Sequence, residues 1–127
     1  MEFDQFTISL LITPPDAPEL DEKAAAELQD AHLAFLADLH AAGHLLAAGP
    51  LSDDEGTLRG LSILNVDPER ARELKEADPA VRAGRFAVKV IPWMVPAGAV
   101  SFSPTFFPRS IDDVMGELDL KRRTGLM

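Results

Sequence analysis

"HLLAAGPLSDDEGTLRGLSILNV", residues 44–66, decides the fold. Its opening "HLLAAG" is a short apolar strand, "SDDEG" at 52–56 is a polar turn, and "LRGLSILNV" is a second strand. Leu45 to Val66 thus reads as a β-hairpin in the middle of the chain. Upstream, "FDQFTISLLIT" begins with apolar and polar residues mixed and ends in an apolar run, the pattern of a strand that becomes buried; "PPDAP" stops it. From Asp21 to Ala42 the spacing turns helical, with Leu28, Phe35, Leu36 and Leu39 on one side, acids and Lys23 on the early turns, and Gly43 as the stop.

Downstream of the hairpin, Asp67 and Pro68 have the form of an N-cap and first turn, opening a helix "PERARELKEA" with Ala71 and Leu74 as its apolar positions. "RFAVKVIPW" follows as a strand in which Phe86, Val88 and Val90 alternate with Arg85 and Lys89. The order β-α-β-β-α-β predicts an α+β, ferredoxin-like subunit, an antiparallel sheet with both helices on one face. Its other face is left bare, and the strands are apolar enough to expect burial against a second subunit in a homodimer.

The 127 residues suit one domain, assigned to residues 1–98, followed by an arm over 99–127. In the arm, "SFSPTFFPRS" is aromatic and proline-rich. Ser110 with Asp113 then resembles a capping box opening a short helix, with Ile111, Val114, Met115 and Leu118 on one side and "KRR" at its end. Such an arm is expected to pack on the core or on a partner subunit. The uncharged run from Val90 to Pro108 has about the length of a membrane span, but four prolines interrupt it, so a strand end and loop is expected.

A net charge of −9 argues against nucleic acid and anionic membrane partners, since phosphate binding draws on a basic face. The absence of cysteine excludes disulfides, thiolate nucleophiles and cysteine-ligated metals. The N-terminus carries acids where a signal peptide carries bases, and a cytoplasmic location is the default expectation.

Two residues attract chemical interest. His32 lies one turn from Leu28 and Leu36, near the middle of the apolar arc, where a titratable ring must find a hydrogen-bond partner. A core histidine satisfied by a backbone carbonyl explains it as well as a catalytic base does. Asp78 precedes Pro79 as Asp67 precedes Pro68, and spacing alone makes both helix caps. His40 and His44 stand four apart, but Gly43 lies between them and no third ligand is evident, so no metal is expected. Arg59, Arg82 and Arg85 are candidates to bind a substrate carboxylate; solvated arginines are the alternative.

"HLAFLADLHAAGHLLAAGPLSDDEGTLRGLSIL", "EADPAVRAGRF" and "IPW" together resemble the YCII-related family of small α+β proteins, across roughly Phe6 to Val95. The resemblance rests on motif order: a helix with an early His, an "L…AG…L…AGP" passage, an acidic turn with Gly, a "G…I" strand, an "A…DP…AG" segment and a terminal "PW". It implies a ferredoxin-like subunit forming a dimeric α+β barrel, with a His and an Asp paired beside the sheet at the positions of His32 and Asp78. Some relatives look like enzymes acting on small unsaturated acids from aromatic breakdown, including removal of chloride from muconate-type compounds. The expectation is a cofactor-free small-molecule enzyme in which His32 is the general base for elimination or isomerisation and Asp78 orients it. Gly49, Pro50 and Ser52 would shape the mouth, with Ser52 or Arg85 holding a substrate acid group. The alternatives are a cofactor-free monooxygenase on the same fold and a non-catalytic dimeric ligand-binding or interaction module.

Overall fold

The computed structural model describes residues 1–116. Its elements follow the expected order: β1 (Phe3–Ile12), α1 (Glu22–Ala41), β2 (Leu45–Pro50), β3 (Leu58–Leu64), α2 (Pro68–Glu76), α3 (Pro79–Arg82) and β4 (Ala87–Pro96). The four strands form one antiparallel sheet in the order β2-β3-β1-β4, the strand order of a ferredoxin-like fold.

Local chemistry sets the helix ends. Asp21 accepts from the Ala24 N–H at 2.7 Å and starts α1. Gly43 ends it in the left-handed region at φ 86°, a conformation that costs an L side chain and not glycine. Asp67 caps α2 by accepting from the Arg70 N–H at 2.8 Å, with Pro68 in the first turn. The order β-α-β-β-α-β counts one helix after β3, with Asp78 marked as a cap; the structure has a second, short helix at that cap, because Asp78 holds an extended backbone before Pro79 and opens α3 after α2 has closed at Ala77.

β4 also runs past Trp93, where the reading placed its end, to Pro96. Pro92 is accommodated because β4 is an edge strand, hydrogen-bonded to β1 alone, so its missing N–H costs no second ladder.

The alternation along β1 divides the sheet. Thr7, Ser9 and Leu11 are buried under the helices. Leu39, Leu45, Leu64 and Ala71 form one core cluster, joining α1, the hairpin and α2. Leu11, Ala80 and Phe86 form a second at the α3 end. Phe6, Ile8 and Leu10 alternate onto the opposite face with Ile91 and Trp93 across from them in β4, and all five are partly exposed.

After Pro96 the chain returns over the molecule. The Gly98 N–H donates to Asp4 Oδ2 at 2.9 Å, and Phe102 meets Phe6 edge-on at 5.4 Å. A helical turn over 111–116 begins as expected, with Ser110 Oγ accepting from the Asp113 N–H at 3.1 Å. Ile111 and Val114 face inward, whereas Met115 is 57% exposed. Leu118 and the "KRR" run lie outside the described residues. Replacing Asp67 with Ala is expected to lower stability by about 1 kcal/mol in denaturant unfolding, because it removes the bond to the Arg70 N–H.

Candidate active site

His32 and Asp78 are 46 residues apart in sequence, and the fold brings them into contact. The ring projects inward from the middle of α1; the carboxylate sits at the joint between α2 and α3. His32 Nδ1–H donates to Asp78 Oδ2 at 2.6 Å, and the other carboxylate oxygen accepts from the Ala80 N–H at 2.9 Å. Asp78 is therefore both cap and partner. It is fully buried, while His32 keeps 7% of its surface exposed. Phe86 meets the imidazole edge-on at 5.8 Å and fixes the ring plane.

With Nδ1 committed as donor, Nε2 carries the free lone pair, and it has no hydrogen-bond partner among the described residues. The ring lines a cavity of about 590 Å³ between α1 and the β2–β3 half of the sheet, large enough for a substrate of one or two rings. Leu33 and Leu36 come from α1, Leu11, Ala48 and Ser62 from the sheet. Gly49, Pro50 and Arg59 stand at the hairpin side.

Gly49 and Pro50 are thus at the wall, as the sequence suggests. Ser52 is exposed on the connection between β2 and β3, and neither it nor Arg85 lines the cavity. Arg59 and Arg85 place their guanidinium carbons 5.6 and 5.8 Å from the Phe86 ring, and of the two only Arg59 belongs to the wall. Its Nη1 donates to Thr13 Oγ1 at 3.4 Å, a long contact that leaves most of its donors free.

Two further contributors stand at the cavity. The first is the arm, expected to pack on the core or on a partner, whose Phe107, Pro108, Ile111 and Val114 close one side of the cavity. It is tied to α1 at three points. Ile111 N–H donates to Asp30 Oδ1 at 2.8 Å, Arg109 pairs with Asp38 at 2.9 Å, and Phe107 stacks on His40 at 4.0 Å. His40 is fully engaged: Nδ1–H donates to the Leu45 carbonyl at 2.7 Å and Nε2 accepts from the Thr105 N–H at 3.2 Å, so its nitrogens are spent on the arm and the hairpin.

The second is Lys75, wholly buried in the last turn of α2. Its Nζ donates to Ser62 Oγ at 3.2 Å. A signal was present: Lys75 follows buried Ala71 by four residues and precedes Asp78 by three, which puts all three on the core side. Burial lowers the ammonium from 10.5 to about 8, and the nearby Asp78 charge opposes that fall.

Comparison with known proteins agrees with this architecture. The model of the YCII-related domain matches residues 9–94, more than half of the chain. The chain belongs to the YCII-related family. Among solved structures it is similar to the 5-chloro-2-hydroxyhydroquinone dehydrochlorinase of Burkholderia phenoliruptrix in complex with 2,5-dihydroxybenzoquinone, with 22% identity and a TM-score of 0.51 over 69% of this chain and 92% of that one. At that identity the likeness is one of fold. No curated protein matches the chain.

Lys75 makes stability depend on pH. Below about pH 8 the lysine is charged in folded and unfolded chains alike, and the folded state bears the full desolvation cost. Between about 8 and 10.5 the unfolded chain binds the extra proton, so stability should rise by about 3 kcal/mol across that window. The chain has no tyrosine and no cysteine to titrate there. Urea unfolding at several pH values should show the rise in the native protein and a flat profile in Lys75→Met.

Proposed function

We propose that this chain is a cofactor-free enzyme on small unsaturated, oxygen-bearing acids, with His32 as general base and Asp78 as the residue that positions it. One observation carries the reading: His32 donates from Nδ1 to a fully buried carboxylate and leaves Nε2 uncommitted on a ring that lines an otherwise largely apolar cavity. A histidine serving packing alone is sealed. This one stands beside about 590 Å³ of space.

The chemistry follows from charge. When Nε2 takes a proton from carbon, the imidazolium that forms is already hydrogen-bonded to Asp78, which also fixes the tautomer. Arg59 offers the cavity a bidentate partner for a carboxylate or an ionised hydroxyl group. The largely apolar space beside it suits a conjugated ring or a muconate-like chain. Elimination of chloride and isomerisation both begin with this proton transfer. The similar dehydrochlorinase, whose name carries such an elimination and whose complex holds a dihydroxyquinone, supports that class of substrate for this chain.

We also infer a homodimer. The partly exposed sheet face of Phe6, Ile8, Leu10, Ile91 and Trp93 is the surface that a second copy would cover, closing two sheets into an α+β barrel. Sedimentation at micromolar concentration should give twice 13.8 kDa, and Ile8→Asp should return it to 13.8 kDa. A native protein that sediments only as monomer removes the dimer.

The base is tested by proton NMR of the histidine ring N–H groups together with turnover. In Asp78→Asn, which caps a helix about as well as Asp, the downfield Nδ1–H resonance of His32, the mark of a hydrogen bond to a carboxylate, should shift upfield, while that of His40 stays in place. Chloride release from 5-chloro-2-hydroxyhydroquinone and from chlorinated muconate-type acids is the activity to follow. His32→Ala should lower it by about 100-fold or more. Full rate in that variant ends the claim.

A further inference from the structure

The cavity has a second polar feature, on its floor. Ser62 stands on β3, 4% exposed, and lines the same space as His32. Its Oγ accepts from Lys75 Nζ at 3.2 Å, so its own proton remains to be given, and no acceptor for it exists among the described residues. Ser9 lies directly opposite Ser62 in the β1–β3 ladder and on the same face, with a buried Oγ that has no hydrogen-bond partner among the described residues. Two hydroxyls and an ammonium thus sit together beneath a largely apolar cavity.

Folding gives no reason for this group. Aliphatic side chains at 62 and 75 would fill the space without the desolvation of an ammonium that has one protein acceptor where it has three N–H bonds. Asp78, at the end of the helix that carries Lys75, supplies the opposite charge. His32 lies behind it. From the sheet, β1 and β3 bring the serines, and Lys89 of β4, opposite Leu10 in the ladder, falls on the other face.

We propose that Ser62, backed by the Lys75 ammonium, is the catalytic residue that stabilises the oxyanion of the reaction, and that the substrate is an enolisable carbonyl compound spanning the cavity from His32 to this floor. The inference rests on the general-base reading of His32. The C–H bond breaks and its proton goes to Nε2. The electron pair moves into a new C=C bond, and the former carbonyl oxygen takes the negative charge and accepts the Ser62 O–H. The pair then returns to expel a leaving group, or carbon is reprotonated by the imidazolium. Lys75 makes the hydroxyl a stronger donor without meeting the substrate; it is a positioning and polarising residue.

2,4-Dinitrophenolate, an aromatic oxyanion that mimics the enolate and stays ionised across neutral and alkaline pH, is the probe; its binding to the full chain is read by absorbance. The native protein should bind it, and the affinity should fall as pH rises through about 8 and Lys75 loses its proton. Ser62→Ala should bind about 100-fold more weakly, and Ser62→Thr, which restores the hydroxyl, should recover most of the loss. Lys75→Met should bind weakly and lose the pH dependence. Circular dichroism and melting show that each variant is folded. If Ser62→Ala binds as the native chain does, or if Arg59→Gln alone abolishes binding, the proposal is overturned, while a His32 Nδ1–H resonance that still shifts in Asp78→Asn leaves the base in place. Loss of binding in Ser62→Ala with an unshifted His32 resonance removes the base, and with it any catalytic role for Ser62.

Discussion

The Asp78 carboxylate is the constraint on which the site depends. It is fully buried, and a buried carboxylate persists only if both oxygens are used. One oxygen holds the first turn of α3 and the other holds the His32 ring of α1. Two helices and the His32 ring are thus fixed by a single group, with the Lys75 charge nearby and Phe86 against the imidazole. Breaking such a network leaves an uncompensated charge, which costs about 3 to 5 kcal/mol in buried pairs. That cost keeps the imidazole in one tautomer and one orientation.

Around this fixed base the cavity divides its tasks. Apolar side chains from α1, the sheet and the arm exclude water, and polar groups enter at a few places: His32 and Gln29 from the helix, Ser62 from the floor and Arg59 from the hairpin side. Water exclusion strengthens each of them, because a hydrogen bond or charge acts more strongly in a low-dielectric space. The arm lies outside residues 9–94 of the family match, yet its Phe107, Ile111 and Val114 are as much part of the wall as the sheet is. The size and shape of the space are therefore set in part by a segment outside the family match.

Much of this could be read from residue order. Asp21, Asp67 and Asp78 before their helices, Gly43 after α1 and the polar turn in the hairpin are local signals, and local signals survive without tertiary context. His32 and Asp78 were visible as candidates, although their pairing came from resemblance to a family and not from spacing. Ser52 and Arg85 were reasonable guesses from position near the mouth, but side-chain direction at a turn and a strand start is not periodic. Lys75 was passed over because a lysine on a short charged helix ordinarily faces water. The arm's packing on the core is legible in its apolar spacing, but its partners are not, since the contacts with Asp30, Asp38 and His40 join segments more than 60 residues apart.

The sequence by itself determined the element order, the helix caps and the strand faces, because each follows from interactions within a few residues. The tertiary structure decided that Asp78 meets His32, that Arg59 and Ser62 line the cavity where Ser52 and Arg85 do not, and that Lys75 is buried beneath it. These depend on which faces of distant elements meet when the apolar stripes are buried together. Packing selects those partners by shape and hydrogen bonding across the whole fold, and no local pattern encodes that choice.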